Sequence, residues 1–185
     1  MNCPNCGRRM WQHGSFYRWV PTRTERFQVP IYRLRCPACG LTVSLLPPFL
    51  RPHGQFPTFI RETAIRLHLQ RNLTLARVAR IIATPGVGCV TARTVARWVR
   101  RAQEVAREVS AAVAARLLEL CPGLDLPWYA AGPRAKLGPL RTLLELLDLY
   151  RQVLIALGAG AAAFSAGVFG LVNVRLLPAG TDQYL

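Results

Sequence analysis

Residues 1–10 read MNCPNCGRRM and residues 33–43 read RLRCPACGLTV. Cys3-Pro4-Asn5-Cys6-Gly7 and Cys36-Pro37-Ala38-Cys39-Gly40 are therefore two copies of one short turn. Two residues between the cysteines, with Gly directly after the second, let a tight turn aim both sulfurs and several backbone N–H groups at one ion. Four thiolates at about 2.3 Å close a tetrahedral shell, the arrangement of structural zinc. The 29 residues between Cys6 and Cys36 are the length of one β-hairpin, as in zinc ribbons. The duplication predicts that Cys3, Cys6, Cys36 and Cys39 hold Zn2+, with no open position left for catalysis. A thiol–disulfide centre needs one CxxC at a helix N-terminus in a βαβ setting. Both turns here lie in strand-like, Arg-rich sequence. Redox use and incidental cysteines remain as the alternatives. His13, His53 and His68 stand apart from the pairs, and Cys89 and Cys121 read as ordinary thiols.

Working outward from the turns, SFYRWV (15–20) and RFQVPIYRLRC (26–36) alternate β-branched and aromatic residues and read as strands. PTRT (21–24) is the expected turn between them. Pro30 is expected to confine the second strand to an edge or a bend. LTVSLL (41–46) supplies a third strand, and the Pro-rich LPPFLRPHG (46–54) ends the module. Helices follow: FIRETAIRLHLQ capped by Thr58, LARVARIIA capped by Thr74, and residues 92–120 capped by Thr91. TPGVGC (84–89) is the turn between the last two. The expected fold class is α+β, divided into a zinc ribbon at 1–50, a helix-turn-helix region at 57–120 and an apolar helical region at 123–185. That last region begins with a Pro/Gly/aromatic connector at 123–137 and ends in a frayed tail at 178–185.

The net charge of +15 on 185 residues favours a polyanionic partner, nucleic acid before an anionic membrane surface. All basic residues except Lys136 are arginine, which a GC-rich coding sequence would also produce. Codon bias does not account for only nine acids. The charge is +7 over residues 1–52, +7 over 53–120 and +1 over 121–185, so a polyanion would meet the first two-thirds. The first twenty residues carry two Cys and three Arg and no apolar core of a signal peptide. CxxC pairs on such a chain fit a reducing cytoplasm.

In TARTVARWVRRAQEVARE, Val95, Trp98, Val99, Ala102, Val105, Ala106 and Val109 share one helix face. Arg93, Arg97, Arg100 and Arg107 share the opposite face, with Arg101 at its edge. Three helices, the last most basic, match a helix-turn-helix. In that arrangement Thr91, Arg93, Thr94 and Arg97 meet base edges or phosphates of double-stranded DNA, and Arg100 and Arg101 reach its backbone. The bland alternative is a solvated face on which Glu104 and Glu108 pair with Arg100, Arg101 and Arg107. The 84–90 turn exceeds the three or four residues usual in the motif.

CPNCG, the RLRCPACG–LLPPFL stretch and the LARVAR…TVARWVRR helices resemble an uncharacterised bacterial family of zinc-ribbon plus helix-turn-helix proteins. That family is similar to the N-terminal DNA-binding region of insertion-sequence transposases. The resemblance covers about residues 1–110 and implies DNA binding linked to mobile elements. Such transposases cut DNA with three carboxylates that hold two metals. After residue 120 only Asp125, Glu145, Asp148 and Asp182 remain, without a βαβ pattern. The expectation is a transposase-related DNA-binding protein that is not itself an enzyme — an accessory factor, a regulator or a remnant of a larger enzyme — with a transposase or another protein as a further partner.

Val153 to Val174 is 22 residues without a charge, bracketed by Arg151 and Arg175. It is long enough to cross a bilayer but rich in Ala and Gly, with Ser165 and Asn173 inside. A buried helix closing the core is the favoured reading, and a membrane span the alternative. Two functional alternatives follow: a ribbon that docks on protein and touches nucleic acid nonspecifically, or a membrane-tethered DNA-binding regulator.

Overall fold

Alternating aromatic and β-branched residues extend the chain into strands directly after the first cysteine turn. The computed structural model describes residues 1–126, 138–164 and 167–175. In it, β1 (Trp11–Pro21) and β2 (Arg26–Arg35) form an antiparallel hairpin, with Trp11 opposite Arg35 and Pro21 opposite Arg26. β3 (Thr42–Leu45) pairs with the end of β2, giving the order β1-β2-β3. β1 begins earlier than the alternation in SFYRWV suggests. A register shift between Gln12 and Gly14, with Gly14 at φ +118°, carries the strand through. The reversal falls at residues 22–25, where Thr22 Oγ1 accepts from the Glu25 N–H at 3.1 Å.

Pro30 overturns one expectation, because β2 is the central strand. The physical reason is that β3 reaches only from Arg35 to Tyr32 along β2. Pro30 lies opposite Tyr17 and has no strand on its other side, so its missing N–H breaks no ladder there.

The helical part begins at α1 (Thr58–Leu69), then α2 (Leu75–Ile82) and α3 (Ala92–Leu120). Thr58 does not cap α1: Pro57 takes the cap position in extended geometry, and Thr58 is the first helical residue. The fixed φ of Pro57 suits that position. Thr58 is fully buried, and its N–H donates to the Phe49 carbonyl at 2.9 Å. Thr74 and Thr91 do cap, their side chains accepting from the N–H of Arg77 at 3.3 Å and of Thr94 at 3.2 Å. α3 has 29 residues and is therefore about 43 Å long. Its stripe Val95, Val99, Ala102, Val105, Ala106 and Val109 is buried, as the periodicity predicts, and continues through Val113, Ala114 and Leu117.

α4 (Gly138–Ala156) buries Leu140, Leu143, Leu144, Leu147 and Tyr150 and packs along α3. After it a 3-10 turn (Ala161–Phe164) and α5 (Gly167–Arg175) follow, and α5 packs on α1. The uncharged run is thus divided between α4, the 3-10 turn and α5. Among the described residues no helix is long and apolar enough to cross a membrane. One continuous core runs from Ile60 to Val172. Buried Glu62 ties the ends together: it accepts from the Phe169 N–H at 3.0 Å and pairs with Arg66 at 2.9 Å. Arg66 in turn reaches Asp148 of α4 at 2.7 Å. Residues 127–137 of the expected connector, Ser165, the side chain of Asn173, and the expected tail with Asp182 lie outside the described residues.

The connection between α2 and α3 is nine residues, longer than a helix-turn-helix turn. The extra length receives the tip of the β1–β2 hairpin. Gly86 N–H meets the Arg23 carbonyl at 3.4 Å, and Arg26 Nε donates to the Gly86 carbonyl at 2.9 Å. A Cβ on Gly86 would lie 2.5 Å from backbone atoms of Thr22 and Glu25. Sheet and helices are therefore joined at a glycine with no room for a side chain.

Candidate metal centre and basic helix face

The two cysteine turns repeat one another in hydrogen bonding as well as in sequence. In the first, Cys3 N–H donates to the Arg8 carbonyl at 2.8 Å and Gly7 N–H to the Cys3 carbonyl at 2.9 Å. In the second, Cys36 N–H donates to the Leu41 carbonyl at 2.8 Å and Gly40 N–H to the Cys36 carbonyl at 3.0 Å. Gly7 and Gly40 close the turns at φ +71° and +75°, a region that favours glycine. The first turn leads into β1 and the second joins β2 to β3, so the hairpin register brings them together.

The four sulfurs lie within 4.8 Å of one another, with Cys3–Cys39 at 3.5 Å and Cys6–Cys36 at 3.4 Å. These separations are far longer than a disulfide bond of about 2.05 Å. Both lie a little below the edge of about 3.8 Å that a tetrahedral set of four sulfurs at 2.3 Å from one ion requires, and no pair of the four exceeds 4.8 Å. Cys3 and Cys36 are buried beside Met10, Leu34 and Val43, while Cys6 and Cys39 face outward. The cluster can hold a metal ion.

The local dipoles favour thiolates at one end of the set. The Leu41 backbone N–H, then the Asn5 side chain, hold Cys39 down at about 6. Cys36 is lowered chiefly by the Cys39 backbone N–H. Cys6 is drawn down by the Arg8 backbone, but the neighbouring thiols, Cys36 foremost, and burial outweigh it and push the group up to about 12. A bound cation would displace the thiol protons that remain, because metal ligation requires the thiolate.

α3 presents the second expected site. Arg93, Arg97, Arg100 and Arg107 are exposed, opposite the buried stripe. Arg101 is partly covered and pairs with Glu104 at 3.2 Å, one of the pairings the solvated-face alternative requires. Thr91 Oγ1 is engaged in capping and also lies 3.0 Å from Thr94 Oγ1. The Thr91–Thr94 pair orders the helix start, and Thr91 stays exposed on the same end of α3 as Arg93 and Arg97.

Two features were not legible in the sequence. Tyr17, Trp19 and Tyr32 share one face of the sheet, and Tyr17 and Trp19 remain 67% and 59% exposed. Strand alternation places Tyr17 and Trp19 on one face, but only the structure shows that nothing described covers them. The other is Arg61, whose charge α1 buries beside the 51–56 loop. Its place in α1 among Ile60, Ala64 and Ile65 was the available signal.

Residues 3–84 match the model of a family described as a domain of unknown function (DUF6431). The matched segment begins at the first cysteine of the four-sulfur cluster, takes in the sheet, α1 and α2, and ends before α3. No curated protein and no solved structure matches the chain.

Proposed function

We propose that the protein is a cytoplasmic, zinc-holding DNA-binding protein. The observation that carries this is the exposed row Arg93, Arg97, Arg100 and Arg107 on a helix whose opposite face is locked into the core. The row supports a helix-turn-helix grip, with the docked hairpin fixing the ribbon beside it. Zinc fits because four sulfurs with no nitrogen or oxygen donor favour a thiophilic ion and leave no open position. The metal then acts as a staple for a module whose own buried clusters are small.

The resemblance of the cysteine turns and the Thr94–Arg101 segment to the transposase-like family supports a role in mobile-element biology. We place the protein there as an accessory or regulatory factor without nuclease chemistry. Asp148, one of the few acids after residue 120, is committed to Arg66 and to Gln70 at 3.1 Å. The test is Arg93→Ala with Arg97→Ala in duplex binding. Two lost contacts of about 1–3 kcal/mol each weaken a cognate duplex at least tenfold, with an unchanged melting curve. Unchanged affinity would sink the orientation.

A second reading is favoured by the sheet: exposed Tyr17, Trp19 and Tyr32 are the residue types that anchor protein interfaces. It makes the ribbon a protein-docking module with generic affinity for nucleic acid. Duplex binding that shows no sequence preference and nearly vanishes at high salt decides for it.

A further inference from the structure

A cleft of about 780 Å³ lies between the 51–56 loop, α1 and the first half of α3. Arg51 and His53 enter it from the loop, Arg61 from α1, and Arg97, Arg100 and Arg101 from α3. The carboxylate on its wall is Glu104, which pairs with Arg101. The loop is fastened in place. Arg18 Nη1 donates to the Arg51 carbonyl at 2.8 Å, Gly54 N–H reaches the same oxygen at 3.2 Å, and His53 is held at φ +55°. Phe56 packs edge-on against Trp98, with ring centroids 5.2 Å apart, and makes an apolar wall.

Arg61 is the unusual member. It is only 6% exposed, and its Nε and Nη2 are buried with no hydrogen-bond partner among the described residues. A buried, unpaired charge is costly and calls for an opposite charge with acceptors. Burial, and after it the charge of Arg51, push the Arg61 guanidinium down to about 9, which leaves it a cation at neutral pH. Glu62, the adjacent acid, is committed to Arg66 and the start of α5.

We propose that this cleft binds a phosphoryl group, with the buried charge of Arg61 at its floor and Arg97 and Arg100 supplying charge and donors at the mouth. The side-on fork of a guanidinium matches paired phosphate oxygens. The excess of arginines over one already paired carboxylate suits a phosphoryl anion better than a single carboxylate. A nucleic-acid backbone phosphodiester and a free or terminal phosphate offer the same pair of oxygens. For the first source the inference rests on the duplex-binding reading, and for the second it does not.

The test is thermal melting of the metal-loaded full chain in inorganic phosphate and in chloride of equal ionic strength. At phosphate about 100-fold above its Kd the native chain melts about 5–10 °C higher than in chloride. Arg61→Met abolishes that rise, and in chloride it melts at or above the native protein, because it removes an unpaired charge while filling the space. Equal melting of the native chain in the two salts, or a full rise in Arg61→Met, overturns the proposal. Should Arg61→Met fail to fold, Arg97→Ala with Arg100→Ala, at exposed positions, must at least halve the rise, and an undiminished rise overturns it.

Adding duplex DNA then distinguishes the sources. Loss of the phosphate effect with any duplex identifies the backbone. Loss only with 5′-phosphorylated ends identifies a terminal monoester. Persistence with both identifies free phosphate, so that the cleft stands even where duplex binding by α3 fails.

Discussion

Gly86→Ala tests how the sheet is joined to the helices. The added methyl carbon sits 2.5 Å from the N and O of Glu25 and from the O of Thr22. These are backbone atoms and cannot swing aside, so the hairpin tip retreats by about 1 Å to reach ordinary contact distance. Gly86 does not occupy the left-handed region, so backbone strain adds nothing and the effect is purely one of contact. Overpacking of this kind costs about 1–3 kcal/mol. The retreat also breaks the 2.9 Å bond from Arg26 Nε to the Gly86 carbonyl. That bond adds about 0.5–1.5 kcal/mol, since Arg26 is exposed. The sum is about 2–4 kcal/mol, or a fall in Tm of about 5–15 °C for a chain of this size. Circular dichroism melts of the metal-loaded protein give the readout. Arg26→Ala loses the hydrogen bond alone and falls by only about 2–4 °C. A Gly86→Ala melt within about 1 °C of the native protein would refute the close docking.

Further outcomes follow from particular residues. Cys36→Ser, at a fully buried ligand position, lowers the bound metal well below one equivalent by elemental analysis and collapses the β-sheet signal. A strong chelator does the same to the native chain while leaving the helical signal of the separate large core largely intact. Glu62→Ala uncaps α5 and leaves Arg66 with Asp148 alone, at a cost of about 2–3 kcal/mol in urea unfolding, and Glu62→Gln recovers part of it. Ser110→Ala removes a buried hydroxyl with no hydrogen-bond partner among the described residues and leaves stability equal or higher by about 1 kcal/mol.

The elements most legible in sequence were those set by local chemistry. The duplicated Cys-Pro-x-Cys-Gly turn defines its own hydrogen bonds and glycine geometry, and the hairpin-length spacing between the copies brings their four sulfurs together. α3 was readable from its 3.6-residue stripe and its Thr91 cap, with both ends as expected. The misreadings came from tertiary context. Pro30 sits in a central strand because β3 is short, a fact no local pattern carries. Thr58 looked like a cap, yet the Phe49 carbonyl satisfies its N–H and the Pro57 ring sets the helix start. The long α2–α3 turn looked like a defect in a helix-turn-helix, and its length instead accommodates the hairpin tip at Gly86. The buried fork of Arg61 was hidden because sequence shows an arginine but not the loop that folds over it.

The most direct test of the central claim is fluorescence anisotropy of the metal-quantified protein against a random duplex library. It is run at low and moderate salt, with and without a chelator, beside the Arg93→Ala/Arg97→Ala variant. The account predicts that a few sequences are retained at moderate salt, that chelation abolishes this, and that the variant loses it at least tenfold. Binding that selects no sequence, disappears at moderate salt and is the same in the variant would contradict it.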